Sequence, residues 1–145
     1  MLTRRALMQL LVVGGVTTLL SEKEAEATIN LLQVTDANFQ AAVIERSKTK
    51  PVVVEFWAEW CKSCKFYKPQ FAAVAQALKN DFVFAECDQE KSPNTAGGLN
   101  ITALPCTIVL DGGKPVLRMV GGGRAAEVEG HLKNFLKHKR TQKSR

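Results

Sequence analysis

Phe56-Trp57-Ala58-Glu59-Trp60-Cys61-Lys62-Ser63-Cys64-Lys65 is the stretch that decides the fold. It overlaps the end of Pro51-Val52-Val53-Val54-Glu55-Phe56, an apolar, β-branched run, and opens a segment with helical periodicity. Val52 to Trp57 is apolar on both faces except at Glu55, the pattern of a strand covered on both sides. The two cysteines therefore stand at a strand-to-helix junction, where a Cys-x-x-Cys pair is by default a redox-active dithiol. The competing reading is half of a metal site. Zinc sites usually have four ligands, and His131 and His138 lie in the C-terminal segment with no paired spacing to Cys61 and Cys64. No metal and no cofactor is expected.

Working outward, Ile29 to Val34 predicts a short first strand. Asp36 is placed to cap a helix over Ala37 to Ser47, where Phe39 and Val43, with Ala42 and the stem of Arg46, fall at helical spacing. After Cys61, Phe66, Phe71, Val74, Ala75 and Leu78 predict a long helix, with Pro69 inside it as a kink because the ring removes a backbone donor. Asn80-Asp81 is a turn and Phe82 to Cys87 a buried strand. A polar loop follows, with room for a short helix near Pro93 to Leu99. Cys106 to Leu110 and Val116 to Val120 flank the hairpin signal Asp111-Gly112-Gly113-Lys114-Pro115. The last helix runs from Ala125 to about Lys139, with Val128, Leu132, Phe135 and Leu136 on one face. Strands alternating with helices, then a hairpin and a closing helix, predict an α/β fold with a mixed central sheet flanked by helices.

The chain has 145 residues, 46% of them apolar, which suits one globular domain after a short leader. Residues 1–27 read as an export signal. Met1-Leu2-Thr3-Arg4-Arg5 is a basic start, and Ala6 to Leu20 is an uncharged run. At ~1.5 Å per residue that run falls short of the ~30 Å hydrocarbon core of a bilayer. Ala25-Glu26-Ala27 supplies small residues at a signal peptidase spacing. Thr3-Arg4-Arg5 also matches part of a twin-arginine signal, so the general and twin-arginine routes both stay open, as does an uncleaved anchor facing the periplasm. The domain is expected over 28–139, with a basic tail at 140–145. The net charge of +6 is concentrated late: no acidic residue follows Glu129. A solvated helix end explains this, with an acidic partner or anionic membrane as the functional alternative. The body of the chain has no basic stripe with interleaved aromatics, so nucleic acid is not an expected partner.

The mature part resembles the thioredoxin family. The resemblance is carried by Val54-Glu55-Phe56-Trp57-Ala58-Glu59-Trp60-Cys61 with Cys64, by Leu104-Pro105, by Asp111-Gly112-Gly113, and by Val120-Gly121 before the last helix. It implies a thioredoxin-like fold and a thiol–disulfide oxidoreductase acting on protein substrates as a monomer. With the export signal it implies an exported, periplasmic-type protein supplied with electrons by a membrane-embedded thiol transporter. The chain departs from the family pattern at three places. Lys62-Ser63 stands between the cysteines where Gly-Pro is typical, Glu55 replaces a buried Asp, and Cys106 follows the proline where Thr is usual.

On this reading Cys61, at a helix N-terminus, is the attacking thiolate, and Cys64, one turn deeper, resolves the mixed disulfide. Lys62 or Lys65 stabilises the thiolate if it turns inward, and is otherwise solvated. Glu55 is the proton acceptor for Cys64, because burial raises a carboxyl pKa toward that of a thiol; an edge position in water is the alternative. The resemblance makes Pro105 a cis-proline facing the dithiol, with the backbone of Leu104 presented to substrate. Of Trp57 and Trp60, one packs the core and the other shields the dithiol and offers a docking surface. Cys87 reads as an inert core thiol. Cys106 reads as a packed thiol near the site, with a third redox centre or a Cys87–Cys106 disulfide as alternatives. A disulfide-introducing oxidase or isomerase, and a binding module without turnover, are the competing functions.

Overall fold

The apolar run at 52–57 becomes the central strand of a five-stranded sheet. In the computed structural model, which describes residues 31–145, the strands are β1 (Leu32–Val34), β2 (Val52–Trp57), β3 (Val83–Asp88), β4 (Cys106–Asp111) and β5 (Lys114–Val120). Their order is β1-β3-β2-β4-β5. The first three are parallel, while β4 runs antiparallel to β2 and β5 runs antiparallel to β4 at the far edge. The helices are α1 (Lys62–Leu78), α2 (Pro93–Gly98) and α3 (Ala125–Lys143). The expected export segment 1–27, and the first residues of the predicted Ile29–Val34 strand, lie outside the described residues.

Alternation along the strands sorts the core into two layers. Val52, Val54 and Phe56, with Ala85, Cys87, Cys106, Ile108 and Leu110, share one cluster with Phe39 and Val43. The opposite face meets α1 and α3 through aromatic pairs: Phe71 lies edge-on 5.7 Å from Phe84, and Phe82 lies tilted 6.1 Å from Phe135, between ring centroids. Leu132, on α3, is completely buried. Leu132→Ala should therefore cost about 2–5 kcal/mol, the range for emptying a well-packed leucine site. The check is a lower urea midpoint with an unchanged m-value.

Three local expectations change. Asp36 does not cap the segment that follows it. Its carboxylate accepts from the Thr95 N–H (2.8 Å), the Thr95 hydroxyl (2.7 Å) and the Asn94 N–H (3.1 Å). It thus satisfies orphan donors at the start of α2, 58 and 59 residues away. The Thr95 hydroxyl contributes most to holding this carboxyl below its ordinary range. The segment after Asp36 is also not a regular α-helix: Gln40–Glu45 is π-helical and Arg46–Lys48 is a 3-10 turn. Finally, α3 continues past Lys139 into the basic stretch expected as a tail. There Lys139 meets Asp111 at 2.8 Å and Arg140 meets Asp81 at 3.6 Å. Basic residues at a helix C-terminus also face the negative end of its dipole.

On α1 the inward face is Cys64, Tyr67, Phe71, Val74, Ala75 and Leu78, and the helix carries Pro69 within it. Phe66 was expected inside and is 81% exposed. Counting from Cys64 explains it: 64, 67, 71, 74, 75 and 78 form one i, i+3, i+4 stripe, and 66 falls off it. No helix among the described residues is long and apolar enough to cross a membrane.

Candidate functional site

The end of β2 delivers Cys61 to the N-cap of α1. Its backbone is extended (φ −83°, ψ 105°) and its Sγ accepts the Cys64 N–H at 3.2 Å. A sulfur that occupies the N-cap takes the place of the usual Ser or Asp oxygen, so the first turn of α1 donates to the atom that must carry negative charge. Cys61 and Cys64 form a disulfide with Cα atoms 5.3 Å apart. Both sulfur-bearing residues are nearly buried, clustered with Ala58 and covered by Trp57 and Leu104.

The dipeptide between the cysteines takes two different roles. The Ser63 hydroxyl lies 3.4 Å from Cys61 Sγ and donates to the Leu104 carbonyl at 3.4 Å. It bridges the dithiol to the loop before β4. Lys62 and Lys65 are both exposed. Leu104–Pro105 is a cis peptide, and Pro105 is buried beside the motif. The Pro105 carbonyl accepts the Gly121 N–H at 2.8 Å, and Gly121 holds φ +87°, a conformation that favours glycine. A Cβ on Gly122 would lie 3.5 Å from Tyr67 Cβ and 3.7 Å from Pro105 Cγ. These are ordinary van der Waals distances, so Gly122 marks how closely this loop packs on the motif and the proline. The sequence signalled it only as one of three successive glycines.

Behind the disulfide, a polar row crosses the sheet. Gln33, Glu86, Glu55 and Thr107 are register partners on β1, β3, β2 and β4. Gln33 Nε2 donates to Glu86 Oε2 at 2.8 Å, and the hydroxyls of Tyr67 and Thr107 lie 2.9 Å apart. Glu55 is 1% exposed. Glu55 and Cys64 line the same cleft of about 160 Å³, with Glu86, Trp57 and Lys68. Burial, and then the neighbouring Glu86 carboxylate, push Glu55 up to about 8, while Lys68 pulls the other way. Burial also pushes the Tyr67 phenol up to about 12. The sequence did not single out Glu86, Lys68 or Gln33. The one available signal was an acidic residue inside the otherwise buried run at 82–87.

The tryptophans separate as follows. Trp57 is half-buried against the dithiol cluster, with the Lys68 ammonium 5.4 Å from its ring centroid. Trp60 is 66% exposed and its indole N–H donates to Glu90 at 2.9 Å. Trp57, not Trp60, covers the disulfide. Glu59 is exposed.

Cys87 and Cys106 are buried free thiols. Both pair in register with Phe56, one from each side. Two strand spacings of about 4.8 Å separate them, too far for the 4.4–6.8 Å Cα separation of a disulfide, so the Cys87–Cys106 bridge is excluded. Burial pushes both thiols up in pKa, with Arg118 opposing this at Cys106, where its guanidinium donates to the sulfur at 3.8 Å. Among the described residues, no group of three or more His, Cys, Asp or Glu side chains is placed to hold a metal ion.

Comparison with known proteins agrees with this geometry. A sequence model of the thioredoxin family matches residues 30–137. A thioredoxin of Mycobacterium bovis is 38% identical over 108 residues, covering 74% of this chain and 89% of that protein. A thioredoxin of Alicyclobacillus acidocaldarius is 32% identical over 105 residues, covering 72% and 97%. A bifunctional thioredoxin reductase/thioredoxin of Mycobacterium leprae is 39% identical over 111 residues, covering 76% of this chain but 23% of that protein.

Proposed function

The chain belongs to the thioredoxin family, and from that premise we propose that this thiol–disulfide oxidoreductase reduces the disulfides of exported proteins. The observation that carries the reading is the Cys61–Cys64 disulfide at the N-cap of α1, with the buried Glu55 in the cleft behind Cys64.

In the reduced protein the Cys61 thiolate attacks one sulfur of a substrate disulfide. A new S–S bond forms, the substrate bond breaks, and one substrate thiolate leaves. Cys64 then loses its proton to the Glu55 carboxylate and attacks Cys61 Sγ. The mixed disulfide breaks, the second substrate thiolate leaves, and the Cys61–Cys64 disulfide closes. Two electrons have passed to the substrate. Burial raises the proton affinity of Glu55 to about 8, which makes it a stronger base than a solvated carboxylate and suits it to take a proton from a thiol. Substrate docks as an extended segment along Leu104 and cis-Pro105, with the exposed Trp60 at the rim.

The direction follows from how little stabilises the thiolate. A dithiol oxidises others when its reduced form is strongly stabilised. Around Cys61 the neutral donor is the Cys64 N–H; the Ser63 hydroxyl, 3.4 Å away, gives its single proton to the Leu104 carbonyl, and the adjacent lysines face solvent. Lys62-Ser63 therefore tunes the site mildly, toward a reductant. The export reading is supported by the basic start and uncharged run within residues 1–27. In that compartment the electrons come from a membrane-embedded thiol donor. We take the protein as a monomer, with Cys61, Cys64, Glu55 and Pro105 making a complete site within one chain.

The test is insulin reduction by the mature protein, together with the potential of the Cys61–Cys64 couple measured against a glutathione or dithiothreitol buffer. Turnover with a value near that of thioredoxin, about −270 mV, is expected; a value near about −120 mV would make it an oxidant. Cell fractionation that left the full-length chain in the cytoplasm would remove the exported part of the reading.

A further inference from the structure

The polar row beneath α1 contains one carboxylate more than the exchange reaction needs. Glu86 is 5% exposed and lies directly beside Glu55 on the neighbouring parallel strand, where side chains on one face are about 4.8 Å apart between strands. Two carboxylates on directly neighbouring positions, both out of water, do not both ionise readily. The structure also distinguishes between them. Gln33, on the edge strand β1, donates its amide N–H to Glu86 Oε2 at 2.8 Å. A donated hydrogen bond favours the ionised form of its acceptor. No side-chain donor to Glu55 comes from the polar row, and Glu55 shares its cleft with Cys64.

We propose that Glu86 is a positioning residue for proton transfer at Cys64: held as a carboxylate by Gln33, it keeps the proton of the pair on Glu55, facing the resolving thiol. The proposal rests on the reading of Glu55 as the proton acceptor. It explains how a Glu serves where the family usually has an Asp, since the longer side chain is given a like-charged neighbour that strengthens it as a base. Of the other charged groups around Glu55, Lys68, on α1, opposes this effect; Lys65 and Glu59 line the same cleft, and all three are exposed, so water screens them. The Tyr67 phenol, also on α1, remains neutral over the working range. The raised proton affinity of Glu55, to which Glu86 contributes second after burial, agrees with the geometry.

The consequence is a defined pH dependence. Release of substrate from Cys61 requires ionised Glu55, so its rate in the wild-type protein rises with pH through about 8. Removing the Glu86 charge makes Glu55 ionise more easily and moves that rise to lower pH.

The experiment follows the Glu55 side-chain carboxyl by carbon-13 NMR titration in the disulfide form of wild type, Glu86→Gln, Glu86→Asp and Gln33→Leu. In Glu86→Gln the midpoint is expected to fall by about one pH unit or more, the size of effect a close like charge produces. Glu86→Asp should restore much of the wild-type value. Gln33→Leu, which leaves the carboxylate in place but removes its donor, should shift the midpoint in the same direction by less, and it keeps the test open if Glu86→Gln does not fold. An unmoved Glu55 midpoint in the variants that fold would overturn the proposal and leave Glu86 as a partner of Gln33 alone. This titration needs no substrate, so a protein that reduced nothing would still answer it. The matching kinetic readout is the pH profile of mixed-disulfide resolution, which a purely structural Glu86 would not displace.

Discussion

Cys64→Ser stops turnover and leaves the substrate bonded to Cys61. The variant keeps the attacking sulfur at the N-cap of α1, so the first exchange proceeds and a mixed disulfide forms. A serine hydroxyl does not displace a thiolate from a disulfide, so the second exchange fails. Insulin reduction should fall by about 10³-fold or more, as when one member of a catalytic unit is lost. Mass spectrometry should show the adduct on Cys61. Cys61→Ser should lose as much activity but form no adduct at position 61. That contrast separates attack from resolution, which one activity measurement does not. Equal trapping by both variants would overturn the assignment of Cys61 as the attacking residue.

Glu55→Gln should stabilise the oxidised protein while slowing substrate release. Glu55 has a folded pKa near 8 against an unfolded value of 4.5. Below about pH 4.5 the carboxyl is protonated in both states, and its burial costs nothing through ionisation. Between 4.5 and 8 the unfolded chain ionises while the folded protein holds its proton, so stability falls as pH rises; above 8 both states are ionised and the loss levels off. At about 1.4 kcal/mol per pH unit, the wild type should lose on the order of 3 kcal/mol between pH 5 and pH 8 through this one group. An isosteric amide does not titrate, so the Glu55→Gln protein should lack that slope. Urea unfolding of both disulfide-bonded proteins at the two pH values measures it. Parallel pH slopes would show that Glu55 is far better solvated than its position in the sheet implies. Slower resolution with unchanged formation of the mixed disulfide is the expected kinetic counterpart, because only the second exchange uses the base.

Much of the arrangement was legible in the chain. Val52 to Trp57 reads as a doubly covered strand because its apolar residues do not alternate, and it is the central strand of the sheet. Asp111-Gly112-Gly113 reads as a hairpin because two successive residues need positive φ, and both glycines have it. Cys61 at the start of a helical pattern reads as an N-cap sulfur. These are local matters of backbone preference, side-chain volume and period. Tyr67 against Phe66 was also decidable locally, once the stripe is counted from Cys64 instead of from the nearest apolar residue.

What the chain alone determined is therefore the reaction's sulfur atoms, the α/β class and a buried acid before the motif. The tertiary structure decided which groups surround them. Asp36 has a capping residue's chemistry, but only the fold shows that it satisfies α2 instead of its own neighbours. Trp57 and Trp60 are alike in sequence, and their strand and loop positions decide which one covers the disulfide. Cys87 and Cys106 lie on opposite sides of Phe56, a separation set by strand order alone. Glu86 is 31 residues from Glu55 along the chain and its immediate neighbour across the sheet. Hydrophobic period and turn chemistry act over a few residues and are written in the sequence. Electrostatic coupling and burial depend on distances through space, which only the pairing of the strands sets.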